Sequence, residues 1–509
     1  MFAFSADTFM RAIDNFLNKI TMYRLVLYEL IFLLVAAAAL GFFGLLAYSP
    51  LFIAFSAAYI FAVAWIANKI FALAFQAPSN PESTFITAFI LALIITPASS
   101  LLDVNFLSLA GLAAALASAS KYILAIEKKH IFNPAAIAVA ITAFTLNESA
   151  TWWVGTLAML PFVIAGGLLV VRKMQRFDLV LSFLGAALLI IVGFTFVNGG
   201  NVYSAVADIL LYSPIFFLAT IMLTEPFTTP PTRILRIAYG ALVGFLFPPF
   251  VHLGSIYSTP ELALLLGNAF SYLVGHKQKL VLTLKEKNRL TSDVYEFVFS
   301  PDKKPVFQPG QYMEWTLWHP WSDTRGIRRF FTIASSSIEK DVRLGVKFYP
   351  SGSSFKKKFL AMLVGETIVA SERAGDFTLP KGTDKKLVFI AGGIGITPFR
   401  SMVQYLLDKR EQRSIVLFYS NKTSADVAYR EIFDEAQMKL GLKTVYIYTE
   451  GAAAARLDAQ TIVREVPDYR ESMFYLSGPH GMVVAFEDVL KGIGVSPVQI
   501  KKDFFPGYV

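Results

Sequence analysis

Long apolar segments fill the first half of the chain and constrain its fold more than any other feature. They recur over roughly the first 275 positions, and a helix of about 20 apolar residues crosses a hydrocarbon layer of about 30 Å. Beyond them, Lys, Glu and Asp interrupt short apolar stretches, as in a soluble domain. The sequence therefore predicts an N-terminal amphipathic segment (1–21), a transmembrane domain (22–275), a barrel domain (279–380) and a nucleotide-binding domain (381–509).

Ten membrane spans are predicted, of which the third and fifth are short. They cover roughly residues 22–46, 50–75, 84–98, 106–124, 133–146, 152–172, 177–197, 208–225, 234–251 and 258–275. Lys and Arg are confined to alternate loops, and such residues near span ends remain on the cytoplasmic side. We therefore expect a multi-pass protein of the inner cell membrane, embedded in the lipid bilayer, with both termini and the soluble half in the cytoplasm.

The two halves of the membrane domain repeat one pattern. ITAFILALIITPASS, ending near Pro97, is similar to SPIFFLATIMLTEPFT, ending near Pro226, and the break at Asn133 is similar to that at Thr259. Five predicted spans separate the copies, so the repeat is inverted. The alternative interpretation of any one of these prolines is an ordinary helix kink or a loop residue, without a ligand site. Broken helices in a bilayer need protein, water or a ligand to satisfy the freed backbone groups, so the paired breaks predict a buried ligand site.

Composition excludes several classes of protein. The chain has no cysteine, which excludes thiolate-held iron–sulfur clusters, Cys-zinc sites, disulfides and catalytic thiols. His130, His252 and His276 are the histidines of the first half, and they cannot pair as haem ligands on shared helices. The net charge of +9 includes no basic stripe interleaved with aromatic residues, so no nucleic-acid partner is predicted. No metal site is predicted, and the redox centre is expected to be organic.

Two motifs in the membrane domain resemble the NqrB/RnfD family. They are KKHIFNPAAIAV, with His130 and Asn133, and MLTEPFTTPPT, with Thr224, Glu225 and Thr228. The family comprises the membrane subunits of sodium-pumping NADH:quinone reductase and of the Rnf complex. The resemblance covers most of residues 20–275. It implies an all-α membrane domain with a urea-transporter-like fold of ten helices that holds a flavin, and it makes these five residues candidate cofactor-binding residues.

The membrane flavin is expected to be non-covalent, either FMN or another flavin, with a quinone as the alternative occupant. Family members often carry FMN on the threonine of an S-G-A-T motif, and the nearest string here, ESAT ending at Thr151, lacks the glycine. Trp152 and Trp153 follow it and are interpreted as an interfacial aromatic belt.

Two charged residues inside the predicted spans are further candidates, because such residues are rare in membranes. Lys121 either contributes to the ligand site or extends its ammonium group to the membrane interface. Glu225 adjoins a helix break, where cation binding, proton acceptance and pairing with Arg233 all remain open.

The cytoplasmic half consists of short strands separated by turn residues and helices. LVLTLKE and YEFVFS are typical of the small antiparallel β-barrel predicted from Lys279 to about Pro380. Then KKLVFIAGGIGITPFRSMVQYLL predicts a strand, a glycine turn and a helix, and SIVLFYS, TVYIYTE and MFYLSGP predict further parallel strands. Such a turn lets the backbone approach a pyrophosphate, and the following helix offers unpaired N–H groups. The predicted order is a β-barrel and then an α/β nucleotide-binding domain.

Two more motifs resemble the ferredoxin-NADP reductase superfamily over residues 280–509. RFFTIAS, from Arg329, resembles its R-x-Y/F-S/T flavin signature, and LSGPHGM resembles its C-G-P-x-G-M strand end. The resemblance implies FAD and NAD(P)H as cofactors, with Arg329 on the FAD pyrophosphate, Phe331 stacked on the flavin and Thr332 bonded near flavin N5. The other implied cofactor-binding residues are Ile333, Ser335, Ser353, Ser354, Gly392, Gly393, Gly395, Thr397, Pro398, Gly478 and Pro479.

The nucleotide site leaves several details open. Thr332, from the flavin signature, and Ser477, from the LSGPHGM segment, are the candidate catalytic residues. Many relatives have a cysteine at the position of Ser477, so slower hydride transfer is expected here. Phe505 either stacks on the flavin until NAD(P)H displaces it or belongs to a C-terminal strand, and His480 is interpreted as incidental. Lys422 is one basic residue that offers little to a 2′-phosphate, which slightly favours NADH over NADPH.

These observations predict a membrane-bound flavoprotein that oxidises NAD(P)H. FAD in the cytoplasm lies outside a membrane core of about 30 Å, so electrons bound for the far side need a second carrier. The leading hypothesis is a path from NAD(P)H through FAD to the membrane flavin and on to an extracytoplasmic acceptor, such as a flavinylated redox protein. An NAD(P)H:quinone oxidoreductase and a redox-regulated solute or ion transporter are the alternatives.

Overall fold

The computed structural model describes residues 6–17, 20–75, 81–126, 129–275, 279–320, 322–323, 326–451 and 454–503. It divides into two compact units, Met1–His276 and Lys277–Val509. We call them the N-terminal unit and the C-terminal unit.

Helices and two short hairpins make up the N-terminal unit. Its helices are α1 (Ala6–Leu17), α2 (Met22–Phe42), α3 (Pro50–Ala74), α4 (Pro81–Ile94), α5 (Val104–Ile123), α6 (Pro134–Leu146), α7 (Leu160–Met174), α8 (Phe177–Val197), α9 (Val202–Leu211), α10 (Ile215–Phe217), α11 (Arg233–Leu246) and α12 (Pro260–Val274). The hairpins pair β1 (Ala125–Ile126) with β2 (Lys129–His130) and β3 (His252–Leu253) with β4 (Ile256–Tyr257). A π-helical turn, Leu218–Met222, follows α10.

Four described helices, α2, α3, α5 and α8, are long and apolar enough to cross a membrane. The pair Val202–Leu211 and Ile215–Met222 is bent by 59° and makes a fifth span if it is counted as one. A helix overlaps each of the ten apolar segments that the sequence predicts as spans. The number of crossings and the inverted repeat remain predictions, because several of these helices are too short to cross by themselves.

The end of α4 is a helix break whose backbone groups are satisfied by the chain that follows α6. The Trp152 backbone N–H donates to the Ile94 carbonyl over 2.8 Å, and the Trp153 indole N–H donates to the carbonyls of Ala92 and Ile95, each over 3.0 Å. Both tryptophans are only 4% exposed. Their interpretation as an interfacial aromatic belt is therefore wrong: their N–H groups satisfy carbonyls inside the protein.

The C-terminal unit contains an antiparallel sheet followed by a parallel one. Its elements are β5 (Leu280–Arg289), β6 (Val294–Pro301), β7 (Tyr312–Thr316), β8 (Arg328–Thr332), β9 (Val342–Lys347), α13 (Ser354–Leu360), β10 (Thr367–Ala374), β11 (Leu387–Gly392), α14 (Thr397–Lys409), β12 (Ile415–Asn421), α15 (Arg430–Leu440), β13 (Lys443–Tyr448), α16 (Ala459–Glu465), β14 (Met473–Ser477), α17 (His480–Gly492) and β15 (Ile500–Asp503).

Six strands form the barrel-like antiparallel sheet, in the order β8-β7-β10-β5-β6-β9. Its core is aromatic: Phe297, Phe299 and Trp315 are fully enclosed, and Phe355 and Phe359 of α13 pack on them. The short helix α13 thereby closes one side of this sheet beside β8.

Five parallel strands form the second sheet, in the order β13-β12-β11-β14-β15. Phe399 and Phe433, from α14 and α15, pack on one face, and Ile462 and Val483, from α16 and α17, pack on the other. The strand order reverses at β11: the chain runs from β11 through β12 to β13 on one side, and β14 and β15 lie on the other side. In open parallel sheets ligands bind beyond the carboxyl ends of the strands at such a reversal.

Candidate functional site

A glycine turn joins β11 to α14 at the point where the strand order reverses. A Cβ at Gly395 would lie 2.4 Å from the Ser477 carbonyl oxygen, so only glycine lets this turn approach the end of β14. Gly393 has φ of +51°, and an added Cβ there would meet no atom within 4 Å. The turn is therefore tight on its inner side and open on its outer side, which fits the close approach of a pyrophosphate.

The predicted nucleotide residues meet at the carboxyl edge of this sheet. In register, Ser477 at the end of β14 pairs with Ala391 of β11 and with Asp503 of β15. A Cβ at Gly478 would lie 2.7 Å from the Met482 side chain, and one at Gly392 would lie 2.3 Å from its sulfur. The structure thus brings the glycine turn and the LSGPHGM segment together. The remaining predicted members, Thr397, Pro398 and Pro479, begin or precede the helices α14 and α17.

On β8, Arg329 and Phe331 point to the side of the strand where α13 lies. The Arg329 guanidinium lies 5.2 Å from the Phe355 ring centre and donates to the Gly326 carbonyl over 3.3 Å. The Phe331 ring packs on Phe355 and Phe359, with centroids 6.0 and 6.1 Å away. Their predicted contacts with FAD remain predictions.

Thr332 contacts an acidic residue that the sequence did not single out. Its hydroxyl lies 3.5 Å from an Asp503 carboxylate oxygen at the end of β15. Burial raises the pKa of Asp503 to about 7, against a weaker opposing effect of the Thr332 hydroxyl. A carboxyl group that titrates near neutral pH thus lies beside one candidate catalytic residue and pairs in register with the other, Ser477.

The start of α13 is occupied by an anionic side chain. The Ser354 backbone N–H donates to an Asp323 carboxylate oxygen over 2.9 Å, and its hydroxyl lies 3.0 Å from His319 Nε2. The Ser353 hydroxyl accepts the Lys356 N–H over 3.3 Å. The Ser353 and Ser354 groups that were predicted to bind FAD phosphates therefore have protein partners here. One partner is the Asp323 carboxylate, which accepts hydrogen bonds through anionic oxygens as a phosphate does.

Arg400 of α14 fixes the segment that follows β8, and no sequence motif singled it out. Its guanidinium donates to the Ala334 carbonyl over 3.0 Å and forms an ion pair with Glu339. The neighbouring Ser401 hydroxyl donates to the Ser335 carbonyl over 2.6 Å. Ile333 and Ser335, both predicted to bind cofactor, are fully buried, and the contacts from α14 hold this backbone in place.

In the N-terminal unit, three predicted residues surround the carboxylate of a fourth, Glu225. His130 Nε2 lies 3.1 Å from one Glu225 oxygen, while the Asn133 amide donates to the other over 2.8 Å and the Thr228 hydroxyl donates to it over 3.3 Å. The motifs around Asn133 and Glu225, 92 residues apart, therefore meet in a single polar cluster. We call it the Glu225 cluster.

Two residues that sequence analysis missed extend the Glu225 cluster. The Asn133 backbone N–H donates to the Asn268 side-chain oxygen over 2.8 Å, and the Asn268 amide donates to the Tyr239 hydroxyl over 3.0 Å. Asn268 and Tyr239 are fully buried in α12 and α11. A lone asparagine in an otherwise apolar helix was the signal available for Asn268, because buried amides in membranes need partners.

Two predicted members make their hydrogen bonds elsewhere. Lys121 donates to the Ser83 carbonyl over 2.9 Å and to its hydroxyl over 3.1 Å, although its charge still interacts with Glu225. Thr224 is fully buried and its hydroxyl donates to the Thr220 carbonyl over 2.8 Å.

The remaining predictions concern Thr151, Phe505 and metal binding. The Thr151 hydroxyl lies 2.8 Å from that of Thr96. Phe505 lies outside the described residues. Within the described ranges, no three His, Cys, Asp or Glu side chains are grouped so that they could hold a metal.

Comparison with known proteins matches the two units to different families. Residues 153–280 match the NQR2, RnfD, RnfE family, and residues 389–488 match the oxidoreductase NAD-binding domain. The flavohemoprotein of Pseudomonas putida is 32% identical over 234 residues, covering 44% of this chain and 58% of that protein. The flavohemoprotein of Bacillus subtilis is 27% identical over 243 residues, covering 45% and 60%. The chain thus spans less than two thirds of the length of these relatives.

Among solved structures, the chain is similar to the FAD/NAD-binding domain of nitric oxide dioxygenase from Vibrio cholerae. The identity is 20% and the TM-score 0.40, with 44% of this chain and 98% of that chain covered.

Proposed function

We propose that this chain, which joins an RnfD/NqrB-type membrane domain to an oxidoreductase NAD-binding domain, is a transmembrane electron-transfer flavoenzyme. It oxidises NAD(P)H in the cytoplasm, passes the electrons through FAD to a non-covalent flavin in the membrane domain, and delivers them to an extracytoplasmic acceptor. The proposal is supported by two arrangements of predicted site residues in one chain. They are the glycine turn at the end of β14 and the Glu225 cluster.

The C-terminal unit supplies the binding and orientation for the first step. FAD, when bound, supplies hydride acceptance and the release of single electrons. Arg329 would pair with the FAD pyrophosphate, and the glycine turn would let the nicotinamide dinucleotide approach the ends of β11 and β14. The Thr332 hydroxyl, positioned by Asp503, would orient the reacting edge of the flavin ring, and Ser477 would contact the nicotinamide.

The Glu225 cluster fits a flavin better than a quinone. A carboxylate only accepts hydrogen bonds, and it has up to four lone-pair sites, of which His130, Asn133 and Thr228 occupy some. An isoalloxazine ring offers an N–H donor beside its carbonyl acceptors, whereas a quinone head offers carbonyl acceptors alone. A ligand bound by this carboxylate therefore needs a donor, which the oxidised flavin has and the oxidised quinone lacks.

Flavin counting on the purified full-length chain tests the proposal. We expect two flavins per chain, and Glu225→Gln is expected to lose the membrane flavin while it keeps FAD. Glu148→Gln, in an exposed loop, is the control and is expected to keep both. One flavin per wild-type chain would contradict the proposed path and would favour the transporter alternative.

Vesicle assays separate the proposed acceptor side from the quinone alternative. The chain is reconstituted in quinone-free vesicles, with NADH outside and an impermeant dye inside. We expect the dye to be reduced by molecules whose cytoplasmic side faces outwards. A dye that is reduced only after quinone is added would show that quinone is the acceptor.

A further inference from the structure

Glu29 is a carboxyl group inside a helix that is long and apolar enough to cross the membrane. It is the eighth residue of α2, so it lies about 10 Å along the helix axis from the first residue. Glu29 is buried, with only 7% of its surface exposed. Neither the glycine turn nor the Glu225 cluster uses this group.

The Glu29 carboxyl group fills the space above Gly166 of α7. A Cβ at Gly166 would lie 1.7 and 2.0 Å from its two oxygens, so α7 can pass this group only because residue 166 is glycine. The next residue, Gly167, faces Thr220, where a Cβ would lie 2.3 Å from the hydroxyl oxygen. Thr220 belongs to the π-helical turn Leu218–Met222, and such turns occur frequently at functional sites.

The charged groups on α2 and on the helices packed against it have other partners. α2 packs on α3, α4 and α7. The contacts are Arg24 with Glu82, Arg172 with Asp14, Lys173 with the Leu17 carbonyl and Lys69 with the Trp65 ring. Within the described part of the chain, Glu29 Oε1 is fully buried and has no hydrogen-bond partner.

An ionised carboxylate in this position would be a buried charge without a compensating cation. Transfer of an isolated ionised carboxylate into an apolar medium is so unfavourable that the group takes up a proton instead. A carboxylic acid is neutral and carries one O–H donor, so it can occupy an apolar helix interface at far lower cost.

We propose that Glu29 is a proton-binding site of the membrane domain, and that its ligand at neutral pH is a single proton bound to the carboxylate. The site is distinct from the flavin and nucleotide sites and does not depend on the proposed electron path. A bound monovalent cation is the competing occupant, and it would require the carboxylate to be ionised.

Infrared spectroscopy of the purified full-length chain tests this proposal, because a protonated carboxyl group has a carbonyl stretch that the ionised group lacks. At pH 7.5, without added sodium, we expect the wild-type band to lose one carboxyl equivalent in Glu29→Gln. Glu148→Gln, which removes an exposed glutamate, is expected to leave the band unchanged. An identical band in wild type and Glu29→Gln would overturn the proposal, as would a Glu29 band that appears only below about pH 5.

Carbodiimide labelling of the wild-type chain provides a second measurement that needs no variant. Dicyclohexylcarbodiimide modifies protonated carboxyl groups in apolar surroundings. Peptide mass spectrometry is expected to find the label on Glu29 at pH 7.5 and not on Glu82, which is paired with Arg24. An unmodified Glu29 under these conditions would overturn the proposal.

Discussion

The Thr332 hydroxyl has one proton to donate, and its neighbour Asp503 determines where that proton points. Below about pH 7 the Asp503 carboxyl is protonated, because burial raises its pKa to about 7, and it can donate to the Thr332 oxygen. The Thr332 proton would then be available to a flavin bound as proposed. Above that pH the ionised carboxylate can only accept, so it takes the Thr332 proton for itself.

The Asp503–Thr332 contact predicts a pH-dependent rate of flavin reduction. We expect the rate in stopped-flow experiments to fall roughly fivefold as the pH rises through about 7, because one hydrogen bond of about 1 kcal/mol is lost. Asp503→Asn removes the titration and is expected to make the profile flat between pH 6 and about 8. A variant that keeps the wild-type profile would show that another group titrates.

A second residue-level prediction concerns the choice between NADH and NADPH. Lys422 follows β12 at the carboxyl edge of the sheet and is paired with Glu450 over 3.1 Å. The charges of Asp426 and Asp293 also act on it. Because these acids offset the Lys422 charge, we expect this edge to disfavour a 2′-phosphate and to suit the 2′-hydroxyl of NADH.

The test of nucleotide choice is Glu450→Gln, which leaves Lys422 without its paired carboxylate. We expect kcat/KM for NADPH to rise roughly fivefold, while that for NADH changes less than about twofold. The matched control is Glu465→Gln, because Glu465 forms the same kind of pair with Lys443 at the start of β13, on the opposite edge. An unchanged NADPH/NADH ratio in Glu450→Gln would contradict the prediction.

At the scale of secondary-structure elements, the glycine turn lets β11, β14 and α14 converge. In Gly395→Ala, the new Cβ would lie 2.4 Å from the Ser477 carbonyl oxygen and 2.6 Å from Gly478, so the strand ends must separate. We expect a loss of about 1–3 kcal/mol in stability and a marked rise in KM for NADH. Gly492→Ala, where an added Cβ meets no atom within 4 Å, is the control and is expected to behave like wild type.

The packing of α2 on α7 permits a second prediction at this scale. Gly166→Ala would place a methyl group 1.7 Å from a Glu29 carboxyl oxygen, and we expect it to lower the melting temperature of the chain. Adding Glu29→Ala removes the clashing group, so the double variant is expected to be more stable than Gly166→Ala alone. Gly185→Ala, which has open space on α8, serves as the control. Equal effects of Gly166→Ala with and without Glu29 would contradict this packing.

At the scale of the whole molecule, the two units are expected to perform separable reactions. Glu225→Gln weakens the cluster formed with His130 and Asn133 but leaves every residue of the C-terminal unit unchanged. NADH oxidation with a soluble acceptor on the cytoplasmic side is therefore expected to continue at the wild-type rate. Dye reduction inside vesicles is expected to fall at least tenfold, following the loss of a required carrier. Equal losses in both assays would show that Glu225 supports the fold instead of the electron path.

Much of the architecture was predictable from local patterns in the sequence. The apolar segments predict helices because each segment's length and composition determine whether it can lie in a bilayer. The strand, glycine turn and helix around Gly395 were predicted, as was the Asn133 break, because caps and turns depend on neighbouring residues. The membrane-domain motifs, followed along the chain by the reductase motifs, then indicated one membrane domain and one FAD-binding reductase domain.

Contacts between distant parts of the chain were decided only by the tertiary structure. Asp503 lies 171 residues from Thr332 in sequence, and Asn268 lies 135 residues from Asn133. Trp152 and Trp153 resemble interfacial residues locally, yet they fill a helix break inside the protein. A sequence pattern determines which segments form helices and strands and which faces they bury. The buried polar partners depend on how those faces pack together, and no local periodicity encodes that packing.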